Sequence, residues 1–295
     1  MNTADALTDV LKAIRLKGST YFCGGFDAPW KMAWPENVNT GAFHVIVKGH
    51  CWLVQEGSSE AIALNQGDII AFPTGGAHNI ADKVDSPERL LERENADITL
   101  LCGTFHYDSS INHPFVKDLP CFIHVKAAQT PNLDWLRALT LVIVEESKSP
   151  TPGSEAMIDK LTEALFIQLI RLHVAEHARD VNYLSALVDP QIGDALNCIH
   201  GEQEAHWSID KLAQHVAMSR TAFTDKFTRM VGVAPKTYLT DTRMQRAKKR
   251  LAEDKESMFT IALESGYSSE AAFSKAFKKF FNLSPGKVRN KNNTE

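Results

Sequence analysis

The feature that most constrains this chain is a repeat within its C-terminal region. LAQHVAMSRTAFTDKFTRMVGVAPKTYL (212–239) matches IALESGYSSEAAFSKAFKKFFNLSPGKV (261–288). Phe223 falls on Phe273, Phe227 on Phe277 and Pro235 on Pro285, all at an offset of 50. Ala213 and Ala262 match at an offset of 49, so the second copy has one more residue in its turn. A helix-turn-helix needs a small residue where its helices cross, a tight turn, a capped second helix and apolar residues that fix that helix's angle. Ala213 and Ala262 supply the small residues, Gly266 suits the second turn, and Ser219 and either Ser268 or Ser269 can cap. Each phenylalanine pair is spaced i, i+4 and should face a core.

The opposite faces of these second helices are polar. The first carries Arg220, Thr221, Thr224, Asp225 and Thr228; the second carries Glu270, Ala271, Ser274, Lys275 and Lys278. Such side chains can meet base edges and phosphates in a major groove. The intervening TYLTDTRMQRAKKRLAEDK reads as one helix with Arg243, Arg246, Lys248, Lys249 and Arg250 on or near it. It would hold the two units rigidly, with their recognition helices one DNA turn, about 34 Å, apart. The net charge of -4 argues weakly against a nucleic-acid partner, but it is an average. Residues 191–295 hold 17 Lys/Arg against 12 Asp/Glu, which leaves the first 190 residues acidic. A basic end joined to an acidic one suits a chain that meets phosphate at one end only.

WSIDKLAQHVAMSRTAFTDKFTRMVGVAPKTYLTDTRMQRAKKRL followed by IALESGYSSEAAFSKAFKKFFNLSPGKVR resembles the C-terminal domain of AraC/XylS-type transcription regulators, over about residues 193–290. That resemblance puts Arg220, Thr221, Thr224 and Asp225 on the first recognition helix, and Glu270, Ser274 and Lys275 at the matching places of the second. It implies promoter DNA, RNA polymerase and a second copy of the chain as partners. Asp225 departs from the pattern, because an acidic residue cannot contact phosphate favourably; it can accept from cytosine or orient Arg220 or Arg229.

The N-terminal part has a different texture. FHVIV, CWLVQ, AIAL, GDIIAFP, DITLLCGTF and CFIHV are short β-rich runs between turn residues, which favours a sandwich or barrel. Helical periodicity begins near Pro131 with LDWLRALTLVIVEESK and resumes after SPTPG at SEAMIDKLTEALFIQLIRLHVAEHA, with Ser154 as its N-cap. The broad apolar face of that second helix, Leu165 and Leu169 included, can pack on the barrel or on a second copy. VNYLSALVDP reads as a linker. The expected layout is α+β: a β-barrel in 1–128, a helical linker or dimerisation region in 129–190, and an all-α double helix-turn-helix domain in 191–295. GDIIAFPTGGAHNI (67–80) has the form of a cupin second motif and FHVIVKGHCWLV that of a degenerate first one. Residues 9–126 therefore resemble the cupin-type sensor domain of one AraC/XylS subgroup. Metal-dependent cupin enzymes use a His-x-His pair and a Glu. Here His44 and His50 are too far apart and Glu56 is out of register, so an enzyme with an accessory helical domain is the lesser alternative.

Cys23, His44, His78 and Cys102 lie on or beside strands that a cupin would place around one barrel mouth. Two thiolates and two imidazoles are the ligand set of a closed zinc site. The plain reading beside it is two buried cysteines and two hydrogen-bonded histidines. The sequence also resembles the RclR-type, reactive-chlorine-responsive subgroup, which implies oxidant sensing through Cys23 and Cys102. Cys51, Cys121 and Cys198 read as packing residues. The five cysteines do not make a disulfide framework, and no apolar run approaches the roughly 20 residues that span a bilayer. A cytoplasmic location is the default, and no membrane partner is expected.

Overall fold

The computed structural model describes residues 6–37, 40–55, 61–90, 92–93, 96–107, 113–130, 133–201, 207–253 and 256–291. Glu56 lies outside them. The chain forms two compact units. One is Ile14–His177; the other joins Met1–Ala13 to Ala178–Glu295. These units divide the chain differently from boundaries at 128 and 190, because the helices after the strands pack on the strands.

The first unit is built from nine described strands: β1 (Lys17–Phe26), β2 (Lys31–Trp34), β3 (Thr40–Lys48), β4 (His50–Gln55), β5 (Ala61–Asn65), β6 (Ile69–Phe72), β7 (His78–Ala81), β8 (Ile98–His106) and β9 (Ile123–Val125). They form a five-stranded sheet, β1-β8-β3-β6-β9, and a four-stranded sheet, β2-β7-β4-β5. Every pairing is antiparallel. Between the sheets lies an apolar cluster that includes Phe26, Trp30, Leu53, Ile70, Phe72, Ile80, Leu100 and Cys102. The Gly67-Asp68 turn of the second motif does structural work: Asp68 accepts from the backbone N–H groups of Asn65 and Ala127 and pairs with His124 Nε2 at 3.2 Å. It thereby ties β9 to the start of β6.

Register decides which side chains face the barrel. On β1, Thr20 stands opposite Gly103 and Phe22 opposite Cys102, so Tyr21 is an extra, bulged residue. Directly opposed residues share a sheet face. Phe22, Cys102 and His44 thus point inward, whereas Cys23, Leu101 and Val45 point outward.

The outer face of the five-stranded sheet is covered by helices. After the short α1 (Ala6–Ala13) and α2 (Pro114–Lys117) come α3 (Asp134–Lys148) and α4 (Ser154–Glu176). On α4, Phe166 meets Phe105 edge-on at 4.8 Å and the Thr162 hydroxyl lies 3.1 Å from that of Thr20. A Cβ on Gly18 would sit 2.6 Å from the Thr162 methyl, so glycine lets α4 approach β1. Leu165 and Leu169 are fully buried here. The apolar face of this helix is consumed by its own barrel, which removes Leu165 and Leu169 as a contact between copies. Nor is Ser154 the cap: Gly153 holds that position, and the Ser154 hydroxyl accepts from Thr151 N–H and bonds Glu146.

The second unit is helical. It contains α5 (Tyr183–Ala186), α6 (Ile192–His200), α7 (Ile209–His215), α8 (Arg220–Val231), α9 (Pro235–Glu253), α10 (Met258–Glu264), α11 (Glu270–Phe281) and α12 (Pro285–Lys291), with α1 packed on α6. Ala6 N–H donates to Asn197 Oδ1 at 2.9 Å. The segment read as a linker is core instead: Tyr183, Leu184 and Ala186 are buried. Tyr238 of α9 sits 2.7 Å from both the Tyr183 hydroxyl and His200 Nε2, joining α5, α6 and α9. Farther along, Met244, Ala247 and Leu251 of α9 pack with Ile261, Ala262, Phe273 and Phe277. One helix thus serves the cores of both repeats.

Candidate nucleic-acid interface and barrel interior

The two repeats fold into two helix-turn-helix units, α7–α8 and α10–α11. In the first turn Met218 N–H donates to Ala213 O at 2.8 Å, and in the second Tyr267 N–H donates to Ala262 O at 3.0 Å. Ala217 and Gly266 hold the matching left-handed positions, with φ of 54° and 87°. The next helix is capped by Ser219, accepting from Ala222 N–H, and by Ser269, accepting from Ala272 N–H, each at 3.2 Å. The extra residue of the second copy is therefore Ser268, and Ser269 is the cap. Phe223, Phe227, Phe273 and Phe277 are fully buried. Burying these rings turns the opposite faces of α8 and α11 to solvent. Arg220, Thr221, Asp225, Thr228, Glu270, Ala271, Lys275 and Lys278 are exposed, and Thr224 and Ser274 are half-buried.

Two details differ from the sequence expectation. Arg220 is oriented by Asp210, at 3.0 and 3.1 Å, rather than by Asp225. The basic residues of α9 are also largely engaged within the protein. Arg243 donates to Trp207 O at 2.7 Å, Arg250 pairs with Glu256 and Glu264, and Lys248 lies 5.0 Å from the Phe281 ring centre. These cations brace the two repeats more than they offer charge.

Inside the barrel, three of the four proposed metal ligands meet. His44 Nδ1 is 3.1 Å from Cys102 Sγ, His44 Nε2 is 2.8 Å from His78 Nε2, and His78 Nδ1 is 2.7 Å from Gly76 O. A carbonyl can only accept, so His78 donates from Nδ1 and accepts at Nε2. His44 then donates from Nε2 and accepts from the Cys102 thiol at Nδ1. The result is a directional chain, Cys102 to His44 to His78 to Gly76, in which every group is neutral. Burial supports it: desolvation lowers His78 to about 4, pushes His44 well below the usual imidazole range and raises the Cys102 thiol. His78 is further held by Phe72, stacked at 3.6 Å, and by Trp34, parallel at 5.4 Å.

Cys23 does not join them. It faces outward, half-buried, where burial raises its thiol while Lys148 partly offsets that. Three of the four residues meet, and Cys23 stands apart from them. Cys23 lies on the wrong face of β1, and His44 spends a different nitrogen on each neighbour. Cys51 is buried as expected, whereas Cys121 is exposed and Cys198 half-buried.

A barrel unit and a unit holding two capped helix-turn-helix readers make the layout of a regulator in which one chain carries both sensor and DNA reader. A cupin family model matches residues 5–175, and a helix-turn-helix domain model matches residues 212–291. The transcriptional regulator AlkR of Acinetobacter baylyi is 29% identical over 97% of this chain and 99% of its own length. RclR of Escherichia coli, named an RCS-specific transcriptional activator, is 27% identical over 84% of this chain and 83% of its own. Among solved structures, an AraC-type transcriptional regulator from Chromobacterium violaceum is 28% identical, covering 35% of this chain and 92% of that one, with a TM-score of 0.33. The chain belongs to the cupin family through residues 5–175 and, with its helix-turn-helix domain, is a DNA-binding transcription regulator similar to AraC-type proteins. Among the described residues no helix is long and apolar enough to cross a membrane.

Proposed function

We propose that α8 and α11 read promoter DNA, and that the buried Cys102–His44–His78 chain senses a small oxidant and changes that reading. The observation that carries the first half is the pair of serine-capped helices with exposed polar faces. On these, Arg220, Thr221, Thr224, Asp225, Glu270, Ser274, Lys275 and Lys278 are the contacts, with RNA polymerase as the downstream partner in the cytoplasm. Lys275 and Lys278 are exposed cations and meet phosphate directly. Asp225, without Arg220 to orient, is left as a base acceptor. Selecting DNA from a random pool with the full chain tests this: a sequence should be enriched, and Lys275→Ala should weaken its binding several-fold. Equal recovery by wild type and variant would contradict the assignment.

The oxidant reading rests on the directional chain. Hypochlorous acid converts the Cys102 thiol to a sulfenyl chloride with release of water, which removes the S–H and leaves His44 Nδ1 buried without a donor, at a cost of about 1–3 kcal/mol. That cost falls inside the apolar cluster and favours a rearranged barrel, the differential energy a switch requires. The name of the E. coli relative, RCS-specific, supports the same class of signal. Cys23, the more accessible thiol, would be modified first, and its outward position makes a direct Cys23–Cys102 disulfide a change of strand face. Hypochlorite-dependent reporter expression should be lost in Cys102→Ala with DNA binding retained; an unchanged response would overturn it. A thiophilic metal such as zinc is the second reading, reduced to His44, His78 and Cys102. It requires His44 to release one hydrogen bond, and metal content independent of Cys102 would exclude it.

For the homodimer we propose α3 as the contact. Trp135, Leu141 and Val142 are exposed there, with Met157 at the start of α4.

A further inference from the structure

Apart from the reader and the barrel interior, the second unit gathers three metal-ligating side chains of different chemistry. Asp194 and Cys198 stand four residues apart on α6, hence on one helix face. His215 is the last residue of α7. Asp194 Oδ2 and His215 Nε2 are 3.1 Å apart, and one donor atom from each of the three residues lies within 4.8 Å of the other two. Metal–ligand bonds of about 2.0–2.3 Å in a tetrahedron set donors roughly 3.4–3.8 Å apart. The Asp194–His215 pair is a few tenths of an ångström too close and the widest separation exceeds the range by up to about 1 Å, differences that side-chain rotation closes. Trp207 packs edge-on against His215 at 5.4 Å and limits the ring's swing. The Asp194 and His215 side chains are 52% and 42% exposed, so an ion reaches them from solvent.

We propose that Asp194, Cys198 and His215 bind a thiophilic divalent cation, zinc in the first instance, with solvent as the fourth ligand. The donor set selects the metal. A thiolate disfavours magnesium and calcium, while imidazole, carboxylate and thiolate together suit zinc. The thiol loses its proton to solvent on binding, so thiolate and carboxylate neutralise the dication. The ion clamps α6 to α7, the entry helix of the first helix-turn-helix. It thus stabilises the unit that carries the DNA reader by binding its folded form.

Zinc titration of the full, reduced chain against a competing chromophoric chelator tests this, with cobalt(II) as the spectroscopic probe. The expected result is a thiolate-to-cobalt charge-transfer band that Cys198→Ala and His215→Ala abolish and Cys102→Ala leaves intact. Zinc affinity should fall at least 100-fold in the first two variants. A band that persists in both, or that disappears only with Cys102→Ala, overturns the site. In unmodified protein, zinc should slow alkylation of Cys198 at least tenfold while leaving the exposed Cys121 unprotected. An unchanged rate at Cys198 overturns the proposal without reliance on any variant's fold.

Discussion

Ala217 sits at a φ of 54°, where its counterpart Gly266 sits at 87°. A side chain in the left-handed region costs roughly 1 kcal/mol that glycine does not incur. Ala217→Gly should therefore stabilise the second unit by about 0.5–1 kcal/mol in denaturant unfolding, whereas loss of stability would show that the turn is unstrained. Titration sets a second expectation. His78 is lowered to about 4 and His44 lies well below its ordinary value, both chiefly by burial. The unfolded chain takes up protons near pH 6.5, before the folded barrel does, so stability is full above that pH. It is lost as pH falls toward about 4, by a few kcal/mol. Melting temperature measured across this window should drop steeply in wild type and less in a His78→Phe variant; equal slopes would contradict neutral histidines. Cysteine roles were the least legible residues in the sequence. Alternation along a strand gives two faces, but the bulge at Tyr21 shifts the register against β8 by one residue. Cys23 and Cys102 thereby part company. Cys198 shows no local pattern because His215 reaches it from another helix.

At the scale of elements, the repeat was legible because its crossing alanine, its cap and its two phenylalanines recur in the same order, with one residue added in the second turn. Each of these positions has a separate physical requirement. Strands β1, β2 and β7 were not legible: KGSTYFCGGF is glycine-rich without clean alternation, and the other two have four residues each. The amphipathic face of α4 could be read, but not its partner, since barrel and second copy offer the same apolar surface. With Leu165 and Leu169 turned inward, the apolar face left to solvent is on α3. Leu141 is 58% and Val142 44% exposed. A Leu141→Glu, Val142→Glu double variant should halve the mass seen by light scattering while preserving the barrel's circular dichroism. A dimeric variant would move the interface elsewhere. Phe273→Ala, by contrast, removes a fully buried ring and should cost about 3–5 kcal/mol of unfolding free energy.

For the molecule as a whole, the acidic net charge conceals a reader whose exposed faces carry Arg220, Lys275 and Lys278 while α9 keeps several of its cations for internal bonds. DNA affinity should then come from a few identifiable phosphate contacts rather than from diffuse basicity. The most direct test is the salt dependence of binding of the full chain to a selected DNA fragment, wild type against Lys275→Ala. Plotted as log K against log salt concentration, the wild-type line should be steep, and the variant should bind more weakly with its slope reduced by about 1. Salt-independent binding, or identical lines for the two proteins, would contradict the account of α11 as a DNA-contacting helix.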